Sequence, residues 1–185
     1  SRALAGLPGY YVPGGVDPGL EAMERVIIND MTYANGAAVV EVEVDPDTGA
    51  VRIEHVVFAH DCGHMLHPKI VEGQIIGGIA HGIGNSCLEW MRYDAAGQPL
   101  TTTLADYLLV SATEMPRRID LVHLESPTYL NELGIKGVGE SGVIPMAAAI
   151  ASAIDHALEE FGVTVRQVPV TPPDLVALIE EAHQP

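Results

Sequence analysis

Leu133-Gly134-Ile135-Lys136-Gly137-Val138-Gly139-Glu140-Ser141-Gly142 runs into an apolar segment from Ile144 to Phe161, and the reading of that junction decides the fold. Glycines let backbone approach another group closely and accept left-handed conformations. The apolar run predicts a helix whose first N–H groups lack intrahelical partners and point back toward the loop, a place where an anionic ligand can be held. Glu140 stands among Val138, Val143 and Ile144, so partial desolvation is expected, the setting in which a carboxylate accepts a proton near neutral pH. It reads as a candidate general base. Gly137 to Gly142 also fits G-x-G-x-x-G, but that pattern carries meaning only after a strand that opens a βαβ unit. Asn131-Glu132-Leu133-Gly134 is not a strand, which argues against a dinucleotide site and a doubly wound sheet. A structural turn with an incidental glutamate is the plain alternative.

Downstream, the helix is expected from Val143 or Pro145 to Phe161, its small residues (Ala147, Ala148, Ala149, Ala151, Ser152, Ala153) permitting tight packing and Gly162 ending it. Val163 to Val168 can form a strand, and Pro172 or Pro173 opens a last helix to His183. Upstream, Ile119 to Glu125 alternates as a strand does, Leu100 to Asp106 reads as extended, and Tyr107 to Val110 is a short apolar segment.

A long helix is expected from Pro68 or Lys69 to about Met91. Its middle carries Gly73, Gly77, Gly78, Gly82 and Gly84, each costing about 0.5–1 kcal/mol relative to Ala in a helix interior. That many missing side chains imply close approach by another helix or by a bulky ligand. Gln74 and His81, seven residues apart, share one face of this helix and are the polar groups left to meet such a ligand. A satisfied core histidine is the other reading of His81.

Ala37 to Val44, alternating at its end as Val40-Glu41-Val42-Glu43-Val44, and Val51 to Phe58, joined by Asp45-Pro46-Asp47-Thr48-Gly49, predict a β-hairpin with Glu41, Glu43 and Glu54 on its wet face. His60-Asp61-Cys62-Gly63-His64-Met65-Leu66-His67 follows, where histidine and cysteine recur as if for a metal. Zinc sites need a second spaced pair that this loop lacks, so no metal ligand is assigned. Residues 1–36 are dense in Pro and Gly (Leu7-Pro8-Gly9, Val12-Pro13-Gly14-Gly15, Asp17-Pro18-Gly19) and read as an extended arm lying on a partner or an upstream domain, with residues 37–185 as the domain proper. Strands and helices mix without regular βαβ alternation, so the class is α+β.

The net charge of −16 repels nucleic acid and obliges any anionic ligand to rely on backbone N–H groups or on positive charge from elsewhere. Two cysteines, Cys62 and Cys87, are too few for a disulfide framework, and with no signal peptide a reducing cytoplasm is expected. No apolar run is long enough to span a membrane. The chain begins at Ser1 and reads as a piece of something larger.

Several blocks in order resemble one family: Val71-Glu72-Gly73-Gln74-Ile75, Gly77-Gly78-Ile79-Ala80 and Gly82-Ile83-Gly84, then Tyr93-Asp94 to Gly97-Gln98, Asp106-Tyr107, and Gly134 to Glu140. Together they are similar to the C-terminal part of the large, molybdopterin-binding subunit of the molybdenum hydroxylases, the family of xanthine dehydrogenase, aldehyde oxidoreductase and aerobic carbon monoxide dehydrogenase. The resemblance implies that Glu140 is the family's active-site glutamate. In the family it deprotonates the Mo–OH or water ligand, whose oxygen attacks an electron-poor carbon as hydride passes to sulfur. It also implies that Gly137, Val138 and Gly139 are backbone beside the metal centre and that Gln74 lies on the pterin-side helix. His81 stands where relatives carry Gln, and it replaces part of that amide's hydrogen bonding. The implied cofactor is molybdenum–molybdopterin, as the cytosine dinucleotide, with the 2Fe–2S clusters and FAD on partner chains and the rest of the molybdenum subunit as a further partner. A non-catalytic assembly module is the alternative function.

Overall fold

The computed structural model describes residues 25, 27 and 30–182. The expected arm over 1–36 lies mostly outside them. Residues 32–185 form one unit, which contains every element described below.

Strands β1 (Asn35–Val44) and β2 (Val51–Asp61) form the expected antiparallel hairpin. Its turn is closed by Asp45, whose carboxylate accepts from the N–H groups of Asp47 and Thr48, and Gly49 takes the left-handed φ of 70° that ends the turn. Val40, Val42 and Val44 face inward while Glu41 and Glu43 stay exposed, as the alternation requires. Between the Glu41–His55 and Val42–Ile53 pairs the register shifts, leaving Glu54 as an extra residue whose carboxylate meets Arg52 and Arg117.

After β2 comes α1 (Pro68–Cys87), started by Pro68 and by the His67 ring, which accepts from Ile70 N–H. Val71, Ile75, Ile79 and Ile83, four residues apart, form its buried stripe. The helix stops at Cys87 and not near Met91. Leu88 and Glu89 both donate to Gly84 O, and Thr101 Oγ1 accepts from Arg92 N–H and donates to Trp90 O, so residues 90–92 are drawn into the following loop. Residues 100–106 are likewise no strand. They close a turn in which Thr103 O accepts from the N–H groups of Asp106 and Tyr107.

Strand β3 (Arg118–Leu124) matches its sequence pattern but pairs parallel to β2, giving the sheet order β1-β2-β3. One parallel crossover therefore sits inside a fold of α+β class. A chain reading could not see it, because α1 and the long loop after it together make the connection.

Helix α2 (Met146–Ala157) is shorter than the apolar run suggested. A 3-10 turn, Glu159–Phe161, completes the run, and Gly162 at φ 68° ends it. Met146, Ile150 and Ile154 are fully buried, each stabilising the fold by about 1.5–3 kcal/mol. Helix α2 packs against β1 and α1. Residues 163–168 are not a strand: Val165 N–H donates to Asp155 and Val170 N–H to Ser86 O, which leaves no ladder to join. Helix α3 (Pro172–Ala182) closes the unit, with Leu175 and Ile179 buried.

Candidate functional site

Lys136 starts the glycine-rich loop and is held on three sides. Its N–H donates to Cys62 O at 2.8 Å, Ile135 bridges Gly63, and its ammonium lies 3.2 Å from Asp61 Oδ1 with both side chains buried. Asp61 Oδ1 also accepts from the N–H groups of Gly63 and Ser126. Burial opposes the charged carboxylate, but the hydrogen bonds from Ser126, Gly63 and Lys136 outweigh it and hold Asp61 well below the usual carboxylate range.

Beyond Lys136 the loop turns tightly. Ser141 N–H reaches Val138 O, and Glu140 O accepts from Val143 and Ile144 as the chain winds into α2. Gly142 then lies on α1: an added Cβ would strike Ile75 O and sit 3.0 Å from Gly78 Cα. Close approach explains two glycines at once, Gly78 on the helix and Gly142 on the loop. Gly82 lies under Met146 in the same way.

Gly73 and Gly77 have the opposite surroundings. An added Cβ at either meets no atom within 4 Å. Both line an open hollow of about 240 Å³, together with Gln74, His81, Gly139 and Glu140. A Cβ at Gly139 would come 3.9 Å from Gln74 Oε1, so the Gln74 amide faces the loop. Four of the residues singled out in the sequence therefore meet at one place. Gly137 and Val138 do not line it; Val138 packs on the core and Gly137 is exposed.

Glu140 is exposed, contrary to the expected desolvation. Val138 turns inward and Ile144 is 76% exposed, so of the three apolar neighbours only Val143 stays beside Glu140 in the lining of the hollow, and the carboxylate is left open. Among the described residues its carboxylate makes no hydrogen bond or ion pair, and no lysine or arginine lines the hollow.

The His60–His67 loop is bound up in structural contacts. His60 Nε2 and His123 Nδ1 are 2.8 Å apart, His64 reaches Glu125 at 3.5 Å and His67 caps α1. Among the described residues no group of three or more His, Cys, Asp or Glu is placed to hold a metal ion. Chain reading missed the Asp61–Lys136 contact. The signal was available: Lys136 is one of two lysines in the chain and the one cation among the glycines.

The profile of the molybdopterin cofactor-binding domain matches residues 9–116, more than half of the chain. The chain belongs to that family. The matched segment includes α1 with Gln74 and His81 but stops short of Glu140. Nicotine 6-hydroxylase large subunit of Paenarthrobacter nicotinovorans is 39% identical over 164 residues, 89% of this chain and 20% of that protein. An alignment of that length leaves at most 21 of the 185 residues out, so it spans the Glu140 loop. Among solved structures, quinoline 2-oxidoreductase from Pseudomonas putida 86 matches with a TM-score of 0.77 at 44% identity, covering 80% of this chain and 19% of that one. A Cu,Mo-CO dehydrogenase matches with a TM-score of 0.82 at 29% identity, covering 92% and 21%. This molybdopterin-binding chain thus spans about a fifth of the length of the relatives it matches.

The hollow suits one side of the family's cofactor. Gly73 and Gly77 leave open the space that a methyl group would take up, and Gln74 and His81 place side chains able to hydrogen-bond in the same lining.

Proposed function

We propose that this chain is the C-terminal portion of the large subunit of a molybdenum-dependent hydroxylase or dehydrogenase, and that Glu140 is its catalytic base. When bound, the molybdenum cofactor supplies a two-electron oxidant and a water-derived oxygen nucleophile. Everything else asked of this chain is done by its own residues. The glycines at 73 and 77 let a flat, bulky group lie against α1, and Gln74 and His81 orient it by hydrogen bonds. The loop holds the Glu140 carboxylate at the same hollow, where one of its oxygens would take up a proton from the group bound there.

The observation that carries this reading is the meeting of Glu140 with Gln74 and His81 around a side-chain-free floor. Exposure of Glu140 agrees with a site that another part of the protein closes, since closing it removes water and strengthens every charge inside. The full assembly is expected to include the rest of the molybdenum subunit and 2Fe–2S and FAD chains that carry electrons away, with the cofactor as the cytosine dinucleotide. Relatives named for nicotine and quinoline favour an N-heterocyclic substrate hydroxylated at an electron-poor carbon.

The test is Glu140→Gln in the assembled enzyme. Turnover should fall on the order of 10²–10⁴-fold, the usual worth of a positioned base, while molybdenum content measured by mass spectrometry stays at the wild-type level. Near-normal turnover would defeat the assignment and leave the assembly-module alternative.

A further inference from the structure

A buried ion pair is a poor way to stabilise a fold. Removing two charges from water costs as much as their attraction returns, and apolar replacements are often as stable. Its best-attested use is to specify register, because one alignment pairs the charges and every other leaves them buried and alone. Asp61 and Lys136 meet that description, with side chains 6% and 8% exposed.

Their position gives the pair something to specify. Asp61 ends β2, the central strand of the sheet, and is held there by two backbone N–H groups. Lys136 begins the loop that carries Glu140 four residues later. Around the pair, segments 62–64 and 134–136 run antiparallel through short contacts: Lys136 N–H to Cys62 O at 2.8 Å and His64 N–H to Gly134 O at 3.2 Å. Gly134 and Gly63 both take left-handed φ angles, and a Cβ on Gly63 would strike Gly134 O. At the other end Gly142 is pressed on α1 at Gly78. Glu140 is thus slung between two fixed points, one on the sheet and one on the helix, with no side-chain bond of its own to hold it.

We infer that Lys136, through its buried pair with Asp61, is the positioning residue that sets where Glu140 stands over the hollow. A slip of one residue at Lys136 would carry the carboxylate away while Gly142 stayed in place. The inference rests on Glu140 being the base, but the latch itself concerns loop geometry and is read separately.

The experiment compares Lys136→Met, Asp61→Asn and the double variant in the assembled enzyme, with Glu140→Gln as control. Each single variant should lower kcat roughly 10–100-fold, the scale of an ångström-sized misplacement, with KM within about two-fold of wild type, an unshifted acidic limb of the pH profile and normal molybdenum content. The double variant buries no unpaired charge, so its thermal stability should recover relative to the singles while kcat stays low; it also keeps the test open should a single fail to assemble. In enzyme prepared without cofactor, hydrogen exchange at the amides of residues 137–141 should speed up in all three. Recovery of kcat together with stability in the double variant would reduce the pair to a structural role and overturn the inference. So would a shifted acidic limb, which would mean that the Lys136 charge acts on the base directly, or unchanged exchange. If Glu140→Gln stays active, the base assignment fails, and the exchange result still decides whether the latch holds the loop.

Discussion

Gly77 and Gly78 are neighbours in α1, and alanine at each should have opposite consequences. A methyl at Gly77 meets nothing within 4 Å, whereas one at Gly78 lies 2.7 Å from Gly142 Cα and 2.9 Å from Val143 N, all of it backbone that cannot swing aside. Either substitution gains about 0.5–1 kcal/mol of helix propensity. That contribution cancels between the two, so their difference isolates the cost of driving α1 off the loop, about 1–3 kcal/mol for overpacking of this kind. Gly77→Ala should therefore be more stable than wild type by the propensity gain alone, with Gly78→Ala lower than Gly77→Ala by that overpacking cost. Urea unfolding of the purified chain measures this, as a shift in midpoint at constant slope. Cofactor content should not follow stability. The more stable Gly77→Ala places its methyl in the hollow, so the assembled protein should carry less molybdenum than wild type. Equal unfolding midpoints would refute the close packing of α1 on Gly142. Full molybdenum content and turnover in Gly77→Ala would refute the hollow as the cofactor's seat.

Acid should act in two separate windows. Burial, helped by the charge of His123, holds His60 below its ordinary value of 6.5. The unfolded chain then takes up that proton first, so stability is complete above pH 6.5 and declines as the pH drops through it. His60→Gln should flatten the loss below pH 6.5 in urea midpoints taken against pH, and an unchanged slope would exclude His60 as its source. Asp61, held well below its ordinary 3.8, contributes stability present above that value and lost as the pH falls beneath it, a step that Asp61→Asn should remove. Burial pushes the Cys87 thiol up to about 11 from 9.0. Its thiolate fraction at mild pH drops roughly 100-fold, so a disulfide reagent should label it slowly in the folded chain and at the free-thiol rate once unfolded. Fast labelling of the native chain would show that the helix end is open.

Much of the architecture was readable because period and punctuation are local. The alternation of Val40 to Val44 and the turn from Asp45 to Gly49 predict the hairpin, and Pro68 and Gly162 mark a helix start and a helix stop where they occur. Misreadings fell where a distant group claims the backbone. Thr101 draws residues 90–92 out of the helix, and Asp155 and Ser86 take the N–H groups of Val165 and Val170 that a strand would have needed. Glu140 was expected to be shielded because Val138, Val143 and Ile144 surround it in the chain. Val138 turns into the core and Ile144 lies out in solvent, so only Val143 stays beside the carboxylate and proximity along the chain does not become shelter.

From the residues alone came the class, the hairpin, the helix starts and the family to which the chain belongs, because these depend on short-range pattern and on motifs carried in order. Tertiary structure alone decided that β3 lies parallel to β2, that Asp61 reaches Lys136 across 75 positions, and which glycines of α1 touch protein and which are left open. The reason is physical: a missing side chain or a single charge reads the same along the chain whatever faces it. Only folding determines whether a backbone, a partner charge or an open hollow stands opposite.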